Sequence, residues 1–560
     1  MGIESNGAKF IAETFKGYGV THVFLVMAIL RKTMVELEKV GIKRILTHSE
    51  KAAAYMADGY ARISGKPGIC MAQSVGAANL AAGLQDPYLA HSPVIAITGR
   101  KKPAAQYRNA YQELIHGPMY DYVTKYNVNV DVIEQLPLIL CQAFREATSG
   151  VPRPVHLDLL GFSGEVIEAA PISDELVVES RYARYPVFRP QPEEALVKTA
   201  AGLLQKALRP VVVAGGGAVS SGAGPEILQL AERLSIPVAT SNDAKGIIPD
   251  NHPLCVGVVG SYSCLSANQV VSEADLVFFI GSGTGDQVTH NWTVPGPHIP
   301  VIQVDINPSE LGRSYRKTFG LYGDAKATVA RLLPFIEKPK GDTEWNSRVR
   351  QIVKDWKDMI EPLRNSDDAP IRPERLCKEI TEILPANAVL VADTGYSAVW
   401  SSTMIALRYP DQRYIRAAGS LGWAFPASLG VKCAAPDKPV VCFTGDGAFW
   451  YHLSELETAK RWGIKTVTVI NNNSALGQSI IGVDQAYGDS PGRREEVYGF
   501  EAVNFAKIAE DIGCLGIRVE SPDEISSALK EALASDKPAV VDVVTDMNAK
   551  PPIPWSPPPK

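Results

Sequence analysis

Along most of the chain, short unbroken runs of β-branched and apolar residues alternate with longer segments whose apolar positions recur at helical spacing. Near the N-terminus the runs are THVFLV (21–26), GICMAQS (68–74), SPVIAITG (92–99) and PVHLDL (154–159). Continuous apolar runs of this length suit strands buried on both faces. Between the first two, SEKAAAYMADGYARISG (49–65) predicts a helix capped by Ser49 and filled with alanine.

A second block opens with RPVVVAGGGAVSSGAGPEILQLAERLSIPVATS (209–241), which reads as strand, Gly-rich turn, helix, strand. ADLVFFIGSGTG (274–285) and PVIQVDINPSELG (300–312) add two strands, each ending in a turn, and the block closes at YGDAKATVARLLPFI (322–336). Residues 337–370 are charged and contain the helical pattern RVRQIVKDWKDMIEPL, so they read as a linker with its own helix. The third block starts at RPERLCKEITEIL (372–384) and holds AVLVADTG (388–395), KPVVCFTGDG (438–447), KTVTVINNN (465–473) and KPAVVDVVTD (537–546). The pattern therefore predicts an α/β chain of three doubly wound parallel-sheet domains, 1–175, 190–336 and 371–548, with a linker at 337–370. The tail AKPPIPWSPPPK (549–560) is too rich in proline for a regular element and reads as a loose end or a flap over a site.

Composition narrows the function classes. The 560 residues carry a net charge of -5, which gives no basic stripe for nucleic acid. No run of about eighteen apolar residues is present, so no membrane span is expected. The eight cysteines are scattered with no C-x-x-C pair, which reads as core residues of a protein in a reducing cytoplasm. The first ten residues have neither a signal core nor a myristoylation pattern.

The chemistry concentrates where strands end. Asp446 follows the run PVVCFTG, and Asn473 comes 27 residues later, after a helical segment and another apolar run. One βαβ unit has that length and returns the chain beside its start, so the two side chains should sit together at the carboxyl end of one sheet. A carboxylate, an amide oxygen and a nearby backbone carbonyl form an oxygen-only site for a hard divalent cation such as Mg2+. Gly445 and Gly447 let the backbone approach a ligand closely, and the helix start beyond them accepts phosphate charge.

The array GDGAFWYHLSELETAKRWGIKTVTVINNN (445–473) resembles the signature of thiamin diphosphate-dependent enzymes. The likeness extends over nearly the whole chain to the group of acetolactate synthases, pyruvate oxidases and 2-hydroxyacyl-CoA lyases. It implies a pyrimidine-binding domain, a central domain and a diphosphate-binding domain. By the resemblance, Asp446, Asn473 and the carbonyl of Ala475 hold Mg2+, and Gly445, Gly447, Ala448, Leu476 and Gly477 line the diphosphate. Glu50 aligns with the glutamate beside the aminopyrimidine ring, where a buried, protonated carboxyl controls the ring tautomer that activates the cofactor. Gly76 and Asn79 fall in the adjoining turn. Gln112, in NAYQELIHGP, would point its amide to the substrate side. His116, in the same loop, reads either as a site residue or as a solvent-exposed histidine. In AAGSLGWAFPASLG (417–430), Leu421 takes the place of the apolar wedge that bends the cofactor, with Gly419 beside it. Gly395, Tyr396 and Ser397 match diphosphate contacts.

The segment DQAYGDSPGRREEVYGF (484–500) reads either as a solvated loop or as a cover whose arginines hold an anionic substrate while Glu495 or Glu496 does acid–base work. Two departures matter. Met27, Ala28 and Ile29 replace the P-G-G turn common in acetolactate synthases, and the turn GSGTGDQVTHNW (281–292) lacks the arginines of flavin-binding relatives, which makes FAD doubtful. The resemblance implies a lyase or carboligase acting on a 2-oxo acid such as pyruvate, or on a 2-hydroxyacyl-CoA thioester that yields formyl-CoA and a carbonyl compound. A non-catalytic, cofactor-binding regulatory subunit is the alternative of another class. Glu50 and Asp446 belong to different domains, which in the resembled family meet across a dimer interface, so the resemblance implies a homodimer or a tetramer built from dimers.

Overall fold

The computed structural model describes residues 5–337 and 341–558. Eighteen strands form three six-stranded, all-parallel sheets. The first holds β1 (His22–Leu25), β2 (Lys43–Leu46), β3 (Gly68–Gln73), β4 (Val94–Arg100), β5 (Tyr126–Val130) and β6 (Val155–Leu160), in the order β2-β1-β3-β4-β6-β5. The second holds β7 (Pro210–Ala214), β8 (Val238–Thr240), β9 (Cys255–Val258), β10 (Leu276–Ile280), β11 (Val301–Asp305) and β12 (Thr318–Tyr322), in the order β9-β8-β7-β10-β11-β12. The third holds β13 (Val389–Ala392), β14 (Arg413–Arg416), β15 (Val440–Gly445), β16 (Val467–Asn472), β17 (Leu515–Val519) and β18 (Ala539–Val544), in the order β14-β13-β15-β16-β18-β17. The outer two domains thus share one strand order, while the central sheet has the order found in dinucleotide-binding domains.

Every strand interior to a sheet coincides with an apolar run recognised in the sequence. The edge strands do not. An edge strand needs less burial, and β2 (KRIL) and β5 (YNVNV) each bury only one residue fully.

The first and third domains are joined by helices. Helix α1 (Glu50–Ser64) starts at its Ser49 cap, whose hydroxyl accepts the N–H of Ala52 at 3.1 Å. Helix α2 (Gly76–Leu89) follows β3, and helix α3 (Glu344–Arg364) lies in the expected linker. In the third domain α4 (Tyr396–Met404) and α5 (Ala424–Ala434) precede β15, α6 (Asp446–Phe449) and α7 (Glu455–Trp462) follow it, and α8 (Gly477–Tyr487) comes after β16. Helices α1 and α5 cross backbone to backbone. A Cβ on Gly59 would overlap the carbonyl of Ala427, and one on Gly430 would overlap that of Met56. The linker is a strut rather than a tether: Trp345, Val349, Ile352, Trp356 and Ile360 of α3 are buried in a core shared by the central and third domains. The tail lies on the central domain, where Asn268 Nδ2 donates to the carbonyl of Trp555 at 3.0 Å and His290 Nε2 pairs with Ser556 Oγ at 2.7 Å. All eight cysteines are free thiols, and only Cys433 is not fully buried.

Gly430→Ala should lower stability by about 2 kcal/mol because neither helix can retreat. Gly202→Ala, in the middle of the helix Glu194–Lys206 with open space around it, should raise stability by about 0.5–1 kcal/mol. Thermal unfolding of the two variants checks both signs, and equal midpoints would refute the crossing as described.

Candidate functional site

Asp446 follows β15 and opens α6, and β16 returns in parallel with Gly445 opposite Asn471. The register brings Asp446 and Asn473 to one sheet edge, as the spacing predicted. The Asp446 carboxyl is 2% exposed, and its Oδ1 has no hydrogen-bond partner. Burial raises its pKa to about 7, against the opposing pull of the backbone N–H groups of Asp446, Gly447 and Asn473. A buried carboxylate oxygen without a partner suits a cation, and the neighbouring amide and carbonyl oxygens select a hard one.

The rest of this cluster is built around close approach. Asn473 Oδ1 accepts the N–H of Ala475 at 3.2 Å and bends the loop, whose Ser474 has φ +55°. The segment Tyr498–Phe500 braces it: Leu476 N donates to Tyr498 O at 2.8 Å and Phe500 N to Ser474 O at 2.7 Å. A Cβ on Gly447 would come within 2.7 Å of Leu476, and one on Gly477 within 3.0 Å of Asn473 and 3.3 Å of Tyr396. At the end of β13, Gly395 faces Gln478 and Ser397 faces Gly445 across similar gaps. The predicted residues Gly395, Tyr396, Ser397, Gly445, Gly447, Asn473, Leu476 and Gly477 are therefore neighbours. Leu421 is half-buried, and the glycine after it packs on Ala448 O and Tyr451 of the turn beyond α6.

Asp393, which the sequence reading passed over, organises that turn. Its buried carboxylate accepts the N–H groups of Thr394 (2.9 Å), Gly422 (3.0 Å) and Ala424 (2.9 Å), and burial raises its pKa to about 6. The signal for it was present: like Asp446, it is a carboxylate directly after a buried strand.

A second cluster sits at the carboxyl edge of the first sheet. Glu50 opens α1, accepts Asn79 Nδ2 at 3.2 Å on Oε2, and lies so close to Gly76 that a Cβ there would overlap Oε1. Glu50 is half-buried in the single chain, not buried as the resemblance required. The rest of its surface is accessible in the single chain. Gln112 adopts a left-handed backbone, φ +56°. Gln73 Nε2 donates to its Oε1 at 3.0 Å, and the Ser74 hydroxyl donates to its carbonyl. A non-glycine residue held in that region marks a constrained position, and Gln73 and Ser74, which enforce it, are further residues unread in the sequence. His116 is not a solvent-exposed histidine. It is 1% exposed and its Nδ1 pairs with Asp158 Oδ1 at 3.2 Å, tying the Gln112 loop to β6. Of the three residues replacing the P-G-G turn, Met27 is exposed while Ile29 is buried. The turn follows β1, between the ends of β2 and β3 that carry Glu50 and Gln73.

Glu495 and Glu496 are exposed on the short turn Arg494–Val497. Glu496 pairs with Arg493 at 3.0 Å, and neither glutamate bonds to the two clusters. Among the described residues no hydrogen bond joins Glu50 to the Asp446 cluster within one chain. The two regions touch instead through Lys51, whose Nζ lies 5.6 Å from the Tyr451 ring, and through Glu455 of α7, which accepts the N–H of His48 at 2.9 Å.

Three family models match the chain: the thiamine pyrophosphate enzyme N-terminal TPP binding domain over residues 5–119, the central domain over 197–332, and the C-terminal TPP binding domain over 393–543. A probable acetolactate synthase large subunit of Methanocaldococcus jannaschii is 36% identical over 517 residues, 90% of this chain and 85% of the relative. The chain belongs to the thiamin diphosphate-dependent enzymes. Acetolactate synthase large subunits of Haemophilus influenzae (30% identical) and Escherichia coli isozyme 1 (29%) each align over 97% of this chain and 94% of their own length. As in its thiamin diphosphate-dependent relatives, the cofactor-binding domains are the first and third, and both clusters lie in those two. No helix among the described residues is long and apolar enough to cross a membrane.

Asp446→Ala should weaken Mg2+-dependent retention of thiamin diphosphate by about 2 kcal/mol, or about thirtyfold. A fluorescence titration of the cofactor measures it, and unchanged affinity would reject Asp446 as a metal ligand.

Proposed function

We propose that this enzyme is a thiamin diphosphate- and Mg2+-dependent lyase or carboligase that makes or breaks a carbon–carbon bond next to a carbonyl. The observation that carries the reading is the partnerless, buried Oδ1 of Asp446 beside Asn473 and Ala475. With a metal there, these three residues would hold the cation, and Gly395–Ser397, Gly445–Ala448 and Leu476–Gly477 would line the diphosphate. Bound thiamin diphosphate supplies a nucleophilic carbon and an electron sink. The chain supplies the rest. Glu50, oriented by Asn79, holds a proton at the pyrimidine edge. Leu421 shapes the bound cofactor. Gln112, fixed by Gln73 and Ser74, presents an amide to the substrate. The presence of Glu50 together with the whole oxygen set speaks against a silent regulatory subunit.

Because the two clusters do not meet within one chain, the site is completed by a second copy, in a homodimer or a tetramer of dimers. The open face of Glu50 would then be covered by the partner, which supplies the burial a protonated carboxyl needs.

The acetolactate synthase relatives favour a 2-oxo acid such as pyruvate as substrate. A second reading, cleavage of a 2-hydroxyacyl-CoA to formyl-CoA and a ketone or aldehyde, is favoured by the exposed Met27, which places an apolar thioether where acetolactate synthases commonly have the proline of the P-G-G turn. Under either reading the cover 484–500 closes over the substrate, with Glu495 or Glu496 as the acid–base group. FAD has no step in either reaction as proposed.

Mass spectrometry of products decides between the substrates. Purified protein with thiamin diphosphate and Mg2+ should give acetolactate or acetoin from pyruvate under the first reading. Under the second, it should give formyl-CoA plus a ketone from a short branched 2-hydroxyacyl-CoA. With the productive substrate, Glu50→Gln should keep the cofactor and lose about 100-fold or more in turnover. Near-normal turnover would remove Glu50 from its assigned role.

A further inference from the structure

The loop that carries Leu421 is held from both sides by buried carboxylates belonging to different domains. On its C-terminal side stands Asp393, described above. On its N-terminal side stands Asp86 of α2, in the first domain, which is fully buried. Asp86 Oδ1 accepts the N–H of Ala418 at 3.0 Å, and Oδ2 accepts those of Gly419 at 3.2 Å and Ser420 at 3.0 Å. Arg62 of α1 neutralises it, with Nη2 3.0 Å from Asp86 Oδ1, and donates through Nη1 to the carbonyl of Arg416 at 2.7 Å. The pair therefore grips four backbone groups in the stretch 416–420. Arg62 is itself locked by Asp58 and lies 4.5 Å from the Trp423 ring, and Trp423 Nε1 donates to Asp58 at 2.9 Å.

Hydrogen-bond satisfaction alone does not explain this arrangement. Gly419 is exposed and Ser420 half-buried, so water can reach that stretch of backbone. What a buried carboxylate adds is direction: charge-assisted bonds fix where each N–H points. Between the two clamps only residue 421 lacks a carboxylate contact, and its side chain is half-buried.

We propose that Asp86, with Arg62 as counter-ion, is a positioning residue: a first-domain carboxylate that sets the Leu421 loop of the third domain and through it the conformation of the bound cofactor. The proposal rests on the reading of Leu421 as the residue that shapes the cofactor. Asp86 touches neither substrate nor cofactor. Its first turn of helix, through Gly76 and Asn79, is also the one against Glu50, so α2 spans the distance between the tautomer-controlling acid and the loop.

The test uses the full chain loaded with thiamin diphosphate and Mg2+, and compares wild type, Asp86→Asn and Leu421→Ala. Exchange of the cofactor's C2 proton into D2O reports cofactor activation without any substrate. Asp86→Asn should slow it by about tenfold or more and leave thiamin diphosphate affinity within about threefold, since the diphosphate residues are untouched. In the cofactor-free chain, amide exchange should rise across 417–423 and stay unchanged in α5. Unchanged C2 exchange in Asp86→Asn, with Leu421→Ala slowed, overturns the positioning role. Unchanged exchange in both overturns the reading of Leu421 and the proposal with it. A loss of affinity that merely tracks a lowered melting temperature also overturns it, in favour of simple domain packing. Should Asp86→Asn fail to fold, Arg62→Lys keeps the charge, removes the fork to Arg416, and is held to the same outcomes.

Discussion

The fold depends on one contact, the crossing of α1 and α5, where Gly59 and Gly430 let two helices from different domains touch backbone to backbone. Close-packed interiors tolerate no added atom there, so the relative placement of the first and third domains is set to within a fraction of an ångström. That precision reaches the chemistry along short paths. Helix α1 begins at Glu50, α5 begins just beyond the Leu421 loop, and Asp58, Arg62 and Trp423 form a buried polar link beside the crossing. A looser interface would leave each cluster intact and let one shift relative to the other within the chain.

Both cofactor domains use one sheet order and put their chemistry in one place, just past the carboxyl ends of strands. Glu50 follows β2, Gln73 and Ser74 close β3, and Asp393, Asp446 and Asn473 follow β13, β15 and β16. Parallel strands all end on the same side, so short-range sequence features become neighbours without any long-range design beyond the βαβ repeat. The central domain has the sheet order of nucleotide-binding folds, yet the glycines at the ends of β7 and β10 serve packing. A Cβ on Gly215 or Gly281 would overlap the backbone of the opposite loop. This accounts for a Gly-rich turn after β7 without a full dinucleotide fingerprint.

What was legible in the sequence follows from burial. VVCFTG and VTVINN are covered on both faces, so their composition announces strands, and their spacing alone sets Asp446 beside Asn473. KRIL and YNVNV are edge strands with mixed faces and carried no such signal. The same limit applies to side chains. Residues that meet a ligand sit in recognisable turns, whereas Asp86 lies inside a helix, ten residues past its start and more than 300 from the loop it holds. His116 shows the converse error. A polar residue in a loop suggested exposure, but Asp158 at the end of a buried strand supplied a partner that lets the imidazole go inside.

The surface left around the two clusters bears on assembly. Val75, Tyr111 and Ile115 at the rim of the first sheet, and Trp450, Tyr451, Val497 and Phe500 around the Asp446 cluster, are exposed large apolar side chains. Scattered apolar residues are ordinary on a surface, but these gather at the edges that carry Glu50, Gln112 and Asp446. Under the proposed function the first rim would supply the tautomer-controlling acid Glu50 and the second the residues that line the diphosphate. Two copies related by a twofold axis would set each rim against its complement, bury the apolar side chains of both, and produce two complete sites at once. One operation would then satisfy the exposed surface, the half-buried carboxyl of Glu50 and the separation of the clusters. A monomeric enzyme would need a separate device for each.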